Sequence, residues 1–200
     1  MSSAPSLHTE TVDFVMLYIV SIAVILLLGV TITMIYFVIK YNRNKGHKPV
    51  DVHGNIWLEI TWVIIPTIIA LSMFYFGYTG FKKIRYIPKD AFVIKVTAKM
   101  WQWEFKYPNN KVTDTLYVPV NKPIKLEMTS SDVNHSFYIP AFRIKEDAIY
   151  GRTTYLAFTP SKIGDYDVAC AEYCGLGHSM MYTKVKVLSK EDFDFWLNKN

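Results

Sequence analysis

Cysteine is almost missing, with two in 200 residues, too few for a disulfide-built fold. Proline and glycine together fill 18 positions, which excludes collagen-like and linker-dominated chains. There is no Cys-x-x-Cys-His, so no covalently attached c-type haem. No Lys or Arg precedes residue 40, and residues 14–39 carry no charge over 26 positions. Neither sign of charge dominates: 22 basic and 17 acidic residues leave +5, of which residues 1–85 supply +3. No basic stripe argues for nucleic acid as a partner. What is abundant is apolar surface, 51% of the chain, and a chain that is half apolar does not stay disordered.

The apolar residues are unevenly placed. Phe14–Ile39 and Ile60–Phe81 are two uncharged runs. At about 1.5 Å per residue, either exceeds a bilayer core of about 30 Å as a helix. Pro66 lies in the second run and predicts a kink. A cleaved signal peptide fits the first run poorly, because no basic residue precedes it and it is longer than a typical apolar signal core. The expected organisation is therefore a tail and transmembrane hairpin over 1–85, with helices over about 14–39 and 57–81, and a water-soluble domain over 86–200. Lys40, Arg43, Lys45 and Lys48 fall between the runs. The positive-inside rule puts that loop in the cytoplasm, and both termini and the soluble domain outside it. Lys82, Lys83 and Arg85 point the other way, but a large domain translocates despite nearby charge.

From Lys82 onward the charge is dense and mixed. Residues 91–98, 115–120, 123–130, 153–159, 164–170 and 182–188 are rich in Val, Ile, Thr and aromatics. Turn signals such as Pro108-Asn109-Asn110 and Thr159-Pro160-Ser161 separate them. Short strands at this spacing predict an all-β sandwich or barrel. Ser189-Lys190-Glu191-Asp192 resembles a capping box that opens a short last helix.

The metal-capable residues concentrate in Cys170–Met181, CAEYCGLGHSMM, with His135 far upstream. Thiolate, imidazole and thioether form a soft donor set, suited to copper. A single blue-copper site uses one cysteine; two thiolates in one loop, with two histidines, can bridge two metals. A structural Cys2His2 zinc site and a Cys170–Cys174 disulfide use the same residues and stay open. His8, His47 and His53 are expected to face solvent, and Met180 to pack.

At this point a resemblance becomes specific. Cys-x-Glu-x-Cys-Gly-x-x-His-x-x-Met, Asp132-Val-x-His-Ser-Phe, Phe142-Arg-Ile-Lys with Asp147 and Gly151-Arg152, Trp101-Gln102-Trp103, and Leu58-Glu59-Ile60 with Trp62 and Pro66 occur in order. Together they resemble subunit II of the haem–copper cytochrome c oxidases over essentially the whole chain. The resemblance implies a two-helix transmembrane hairpin followed by an all-β cupredoxin-like Greek-key sandwich. It implies two copper ions (CuA) bridged by Cys170 and Cys174. His135 and His178 would each bind one copper, Met181 would be an axial thioether, and Glu172 would offer its carbonyl. The Glu172 carboxylate would reach a magnesium or manganese ion shared with subunit I. Trp101 would carry electrons in from the donor, Glu59 would mark the entrance of a proton pathway, and Asp132 would join an acidic docking surface.

The implied partners are subunit I, other oxidase subunits, cytochrome c and the lipid bilayer. The implied activity is one-electron transfer from cytochrome c through CuA to haem in subunit I, coupled to O2 reduction and proton pumping. Tyr150 and Gln102 depart from the family pattern, and the soluble part is not acidic, at +2. A quinol oxidase subunit would lack the copper ligands. A copper-delivery module would not need Glu59, Trp101 or Glu172, and a zinc domain would not need Met181. A nitric oxide reductase with the same copper site would be distinguished only in the partner subunit.

Overall fold

The computed structural model describes residues 4–48, 51 and 53–199. Residues 13–80 form one compact unit; the described residues up to Val12, together with those from Phe81 onward, form the other.

The first unit is helical. α1 (Leu7–Lys40) and α2 (Ile56–Ile84) are both long and apolar enough to cross a membrane. Their apolar side chains are exposed almost throughout, as lipid-facing side chains are. Both helices extend past the uncharged runs. Glu10 lies in the first turn of α1 and Lys82 and Lys83 in the last turn of α2, where the helix dipole favours those signs. The Asn55 side chain starts α2 by accepting the N–H groups of Trp57 and Leu58 at 3.0 and 3.3 Å. α2 continues through Pro66 without interruption. The helices touch where Tyr18 and Ser72 share a hydroxyl hydrogen bond of 2.7 Å and Phe14 and Tyr18 meet Phe76 edge to face.

The second unit is a sandwich of two five-stranded sheets. β1 (Phe92–Lys99), β2 (Gln102–Lys106), β3 (Val112–Thr113), β4 (Leu116–Pro119) and β5 (Ile124–Ser130) are followed by β6 (His135–Ile139) and β7 (Ile144–Ala148). β8 (Thr154–Phe158), β9 (Gly164–Cys170) and β10 (Tyr182–Leu188) complete it. One sheet runs β3-β2-β1-β5-β8 and the other β4-β10-β9-β6-β7. Each holds one parallel pair, β1 with β5 and β4 with β10. The chain therefore crosses between sheets rather than building both from successive hairpins. Side chains alternate along β5, buried at every second position from Ile124 to Ser130, the period-2 pattern of a strand with one face in a core. Ile94, Phe105, Leu126, Phe137, Val168 and Val185 meet between the sheets.

α3 (Lys190–Asn198) closes one end. Ser189 caps it by accepting the Asp192 N–H at 3.0 Å. Phe193 is buried, and Trp196 stacks on Tyr117 at 4.2 Å. The N-terminal tail, left without a place by the sequence pattern, lies on the same unit. Leu7 N–H donates to the Thr159 carbonyl, Ser161 N–H to the Pro5 carbonyl, and Ser6 is fully buried. His8, expected in solvent, is half-buried there.

Candidate metal centre

Three strand ends converge at one edge of the β4–β7 sheet. His135 opens β6, Cys170 ends β9, and Met181 immediately precedes β10. Backbone bonds fix the junction: Cys170 N–H donates to the Met181 carbonyl at 3.1 Å and Ala171 N–H to the Ser136 carbonyl at 2.9 Å. The intervening loop folds back on itself. Gly175 adopts φ +111°, outside the range of ordinary side-chain-bearing residues. A 3-10 turn over His178–Met180 then returns Met181 to the strand.

The donor atoms cluster accordingly. The Cys170 and Cys174 sulfurs are 3.8 Å apart. That is far beyond a disulfide of about 2.05 Å, and both cysteines are free. His135 Nδ1 lies 3.9 Å from the Cys170 sulfur, and His178 Nδ1 3.6 Å from the Cys174 sulfur. Met181 Sδ is 3.8 Å from the Cys174 sulfur, and the Glu172 carbonyl oxygen 3.3 Å from that of Cys170. The arrangement is two central sulfurs with one imidazole beside each. Metal–sulfur bonds run near 2.3 Å, so both sulfurs can reach a common ion without moving apart. Ligand atoms of His135, Cys170 and Cys174 all lie within 4.8 Å of one another, and these three residues are buried, as is Met181.

The environment sets protonation and orientation. Burial, reinforced by Cys170, pushes the Cys174 thiol up to about 11. Without metal the loop therefore holds a neutral thiol at Cys174, and a bound metal must displace its proton. His135 turns Nδ1 to the sulfur while Nε2–H donates to Asp132 Oδ1 at 2.8 Å. Asp132 also accepts the N–H groups of Met100 and Val133, both at 2.7 Å. Burial works against the charged Asp132, but these hydrogen bonds outweigh it and hold the carboxyl below its usual range. A carboxylate on the far nitrogen of a ligating histidine fixes its tautomer and ring orientation. Asp132, expected in a docking surface, thus also holds the His135 ring. Trp103 went unnoticed as a site residue: it is buried, with its ring edge-on to His135 at 6.1 Å. Its place beside Trp101 in an apparently single aromatic motif hid that difference.

The other expected residues divide. Trp101 joins the cluster, its Nε1–H donating to the Cys174 carbonyl at 3.2 Å. The Glu172 side chain is exposed at the rim. Met180, expected to pack, is 76% exposed. Glu59 belongs to the other unit, in the first turn of α2, and is exposed.

Comparison with known proteins gives these features a family. A model described as the periplasmic domain of cytochrome c oxidase subunit II matches residues 72–188, and its transmembrane-domain counterpart matches residues 1–78. The chain belongs to the cytochrome c oxidase subunit II family. It is 34% identical to cytochrome c oxidase subunit 2 of Alkalihalophilus pseudofirmus, over 90% of this chain and 56% of that protein. The corresponding subunit of Cereibacter sphaeroides is 29% identical, over 85% of this chain and 69% of that one. Among solved structures, the periplasmic domain of subunit II (CoxB) of Bradyrhizobium japonicum matches at TM-score 0.52 and 34% identity. That match covers 56% of this chain and 94% of that one. A chain of a haem–copper terminal oxidase dimer matches at TM-score 0.52 and 26% identity, covering 66% and 97%. Membership makes this a membrane-anchored oxidase subunit with a cupredoxin-like domain, and implies copper, CuA, as the metal. The buried His–Cys–Cys donor set suits that ion.

Proposed function

We propose that this chain is the electron-accepting subunit of a respiratory cytochrome c oxidase, taking electrons singly from a cytochrome c and passing them to haem in subunit I. The observation that carries this reading is the pairing at the site: two sulfurs 3.8 Å apart, with a different imidazole beside each. Those spacings alone would also suit one tetrahedral zinc, but the donors that lie within 4.8 Å of one another are those of His135, Cys170 and Cys174, without His178, so the two imidazoles do not gather around one centre. Here Cys170, Cys174, His135 and His178 would hold a pair of coppers. Met181 and the Glu172 carbonyl would complete the two ligand sets. When bound, the copper pair supplies one-electron redox chemistry shared over two ions.

The protein's residues do the rest. Asp132 holds the His135 ring, the end of β9 holds Cys170, the Trp101 indole holds the loop backbone at Cys174, and the buried wall excludes water, so the ligands would move little when the charge changes. Trp101 links the surface to the Cys174 backbone through its indole hydrogen bond. The exposed Glu172 carboxylate would hold a magnesium or manganese ion shared with subunit I. Glu59, at the start of α2, would serve at the mouth of a proton pathway. By the positive-inside rule the basic interhelical loop would lie in the cytoplasm, with that mouth beside it and the copper domain outside. Oxygen reduction and proton pumping would reside in subunit I, so the chain's own part is electron delivery.

The test is oxidation of a reduced c-type cytochrome by the purified complex. With the native chain, turnover should consume O2. Cys174→Ser should lower turnover by at least about 100-fold, because one thiolate of the donor set is lost and even an outer partner of a metal ligand costs about 10–100-fold. A complex that keeps full turnover with Cys174→Ser, or that oxidises only quinols, contradicts the reading.

A further inference from the structure

The basic residues at the end of α2 have no part in the metal centre. Lys82 and Lys83 stand in the last turn of that helix and Arg85 directly after it. Basic residues at this end act against the orientation that the interhelical loop favours. Beside them lies a cavity of about 280 Å³. Phe81 and Ile84 reach it from one face of the final turn, as residues three apart on a helix do. Leu156 lines it from β8, and Arg85 and Lys145 complete its wall. All of these residues belong to the unit that contains the sandwich.

The charge around the cavity is positive. Glu146 pairs with Arg85 through one guanidinium nitrogen, and a guanidinium carries five N–H donors, so the pairing leaves donors over. Lys145 is exposed. The neighbouring acids are engaged elsewhere: Glu127 pairs with Lys125 at 2.8 Å, and Asp147 accepts the Ser136 hydroxyl at 2.6 Å. The balance of Lys82, Lys83, Arg85 and Lys145 against Glu146 is therefore basic. An apolar hollow walled by two cations suits an amphiphile with a negative head. Ordinary small-molecule pockets hold about 300–1,000 Å³, so this cavity takes a headgroup and the roots of its chains. The rest must lie outside, beside a helix long and apolar enough to cross a membrane. A soluble anion would gain nothing from Phe81, Ile84 and Leu156.

We propose that this cavity binds an acidic phospholipid from the leaflet on the sandwich side. Its phosphate sits on the Arg85 guanidinium and the Lys145 ammonium, and its glycerol and upper chains lie against Phe81, Ile84 and Leu156. A guanidinium matches phosphate with paired hydrogen bonds, and a lysine adds a point charge. Basic clusters beside a membrane span recruit acidic lipids. Bound there, the lipid ties the end of α2 to β7 and β8. The site is separate from the metal loop and rests on the membrane span alone, so it stands whichever metal the loop holds.

The test uses the complete oxidase containing this chain, held in nanodiscs of phosphatidylcholine. The probe is phosphatidylglycerol with a photoreactive diazirine at the top of one acyl chain; phosphatidylcholine with the same group is the control. Mass spectrometry maps the crosslinked peptides. Phosphatidylglycerol should label residues 81–87 or 155–157 at least about 5-fold more than the control, since each basic residue at a bilayer surface favours an acidic lipid by roughly that factor. Arg85→Gln with Lys145→Gln should bring the two probes level. Glu146→Gln breaks the same ion pair but leaves both cations, so labelling should persist or rise. Glycerol phosphate at constant ionic strength should not displace the probe. Equal labelling by the two probes in the native complex means ordinary boundary lipid and overturns the proposal. Displacement by glycerol phosphate means a site for a soluble phosphate and overturns it as well. So does an absence of labelling at these residues, as when another subunit covers the cavity. If Glu146→Gln lowers labelling as far as the double substitution does, the ion pair only shapes the surface and the proposal falls.

Discussion

Asp132 and His135 show how a single polar contact can orient a proposed metal ligand. The carboxylate accepts from Nε2 and from two backbone amides, leaving Nδ1 toward the Cys170 sulfur at 3.9 Å. Asp132→Ala frees the ring to rotate and removes the acceptor, so copper affinity should fall by roughly 10–100-fold, the usual cost of such an outer partner. Competition with a copper chelator, with circular dichroism to verify folding, measures it. Cys174 gives a pH prediction. Its thiol is raised from 9.0 in the unfolded reference to about 11 in the metal-free fold. The folded state thus holds the proton more tightly, so its contribution to stability is full below about pH 9 and is lost as pH rises toward about 11. The metal-free protein should show Tm falling across that window, and Cys174→Ser should remove part of the fall. A Tm that rises there contradicts the assignment. The residues that cluster were legible in the spacing of the Cys170–Met181 segment and in the Asp132–Phe137 motif. The separate places of Trp101 and Trp103, one exposed and one buried, were not, because adjacent aromatics in a strand-like run carry no signal for which one turns inward.

At the scale of elements, the strands that sequence made visible are those with dense β-branched and apolar residues. β9 and β10 begin and end where composition placed them, and β1, β4, β5 and β8 lie within a residue or two of expectation. β7 was invisible because its centre is Lys145-Glu146-Asp147, charged residues of low strand propensity. It is an edge strand, where such charges discourage pairing with other chains. β6 follows Ser130-Ser131-Asp132-Val133-Asn134, which reads as a turn and hides a five-residue strand behind it. Its pairing with β9 is long-range information. The last helix was signalled by its cap. Ser189→Ala removes the acceptor for the Asp192 N–H and should cost about 0.5–2 kcal/mol of domain stability. Chemical denaturation of the purified chain checks this, and no loss of stability would mean that Phe193 and Trp196 hold α3 without its cap.

For the whole molecule, the division into an apolar hairpin and a β sandwich follows from where charge is absent and where it is dense. The association of the N-terminal tail with the sandwich does not. The contacts of Pro5, Ser6 and Leu7 with Thr159, Pro160 and Ser161 join residues more than 150 positions apart, and no local pattern announces them. The central claim is that the loop holds two coppers which share one electron. It is tested most directly by metal analysis and electron paramagnetic resonance on the full-length chain, loaded with copper and partly reduced. The account predicts two coppers per chain and a hyperfine pattern of one unpaired electron spread equally over both nuclei. One copper per chain with a single-nucleus pattern, or zinc in place of copper after loading under reducing conditions, would contradict it.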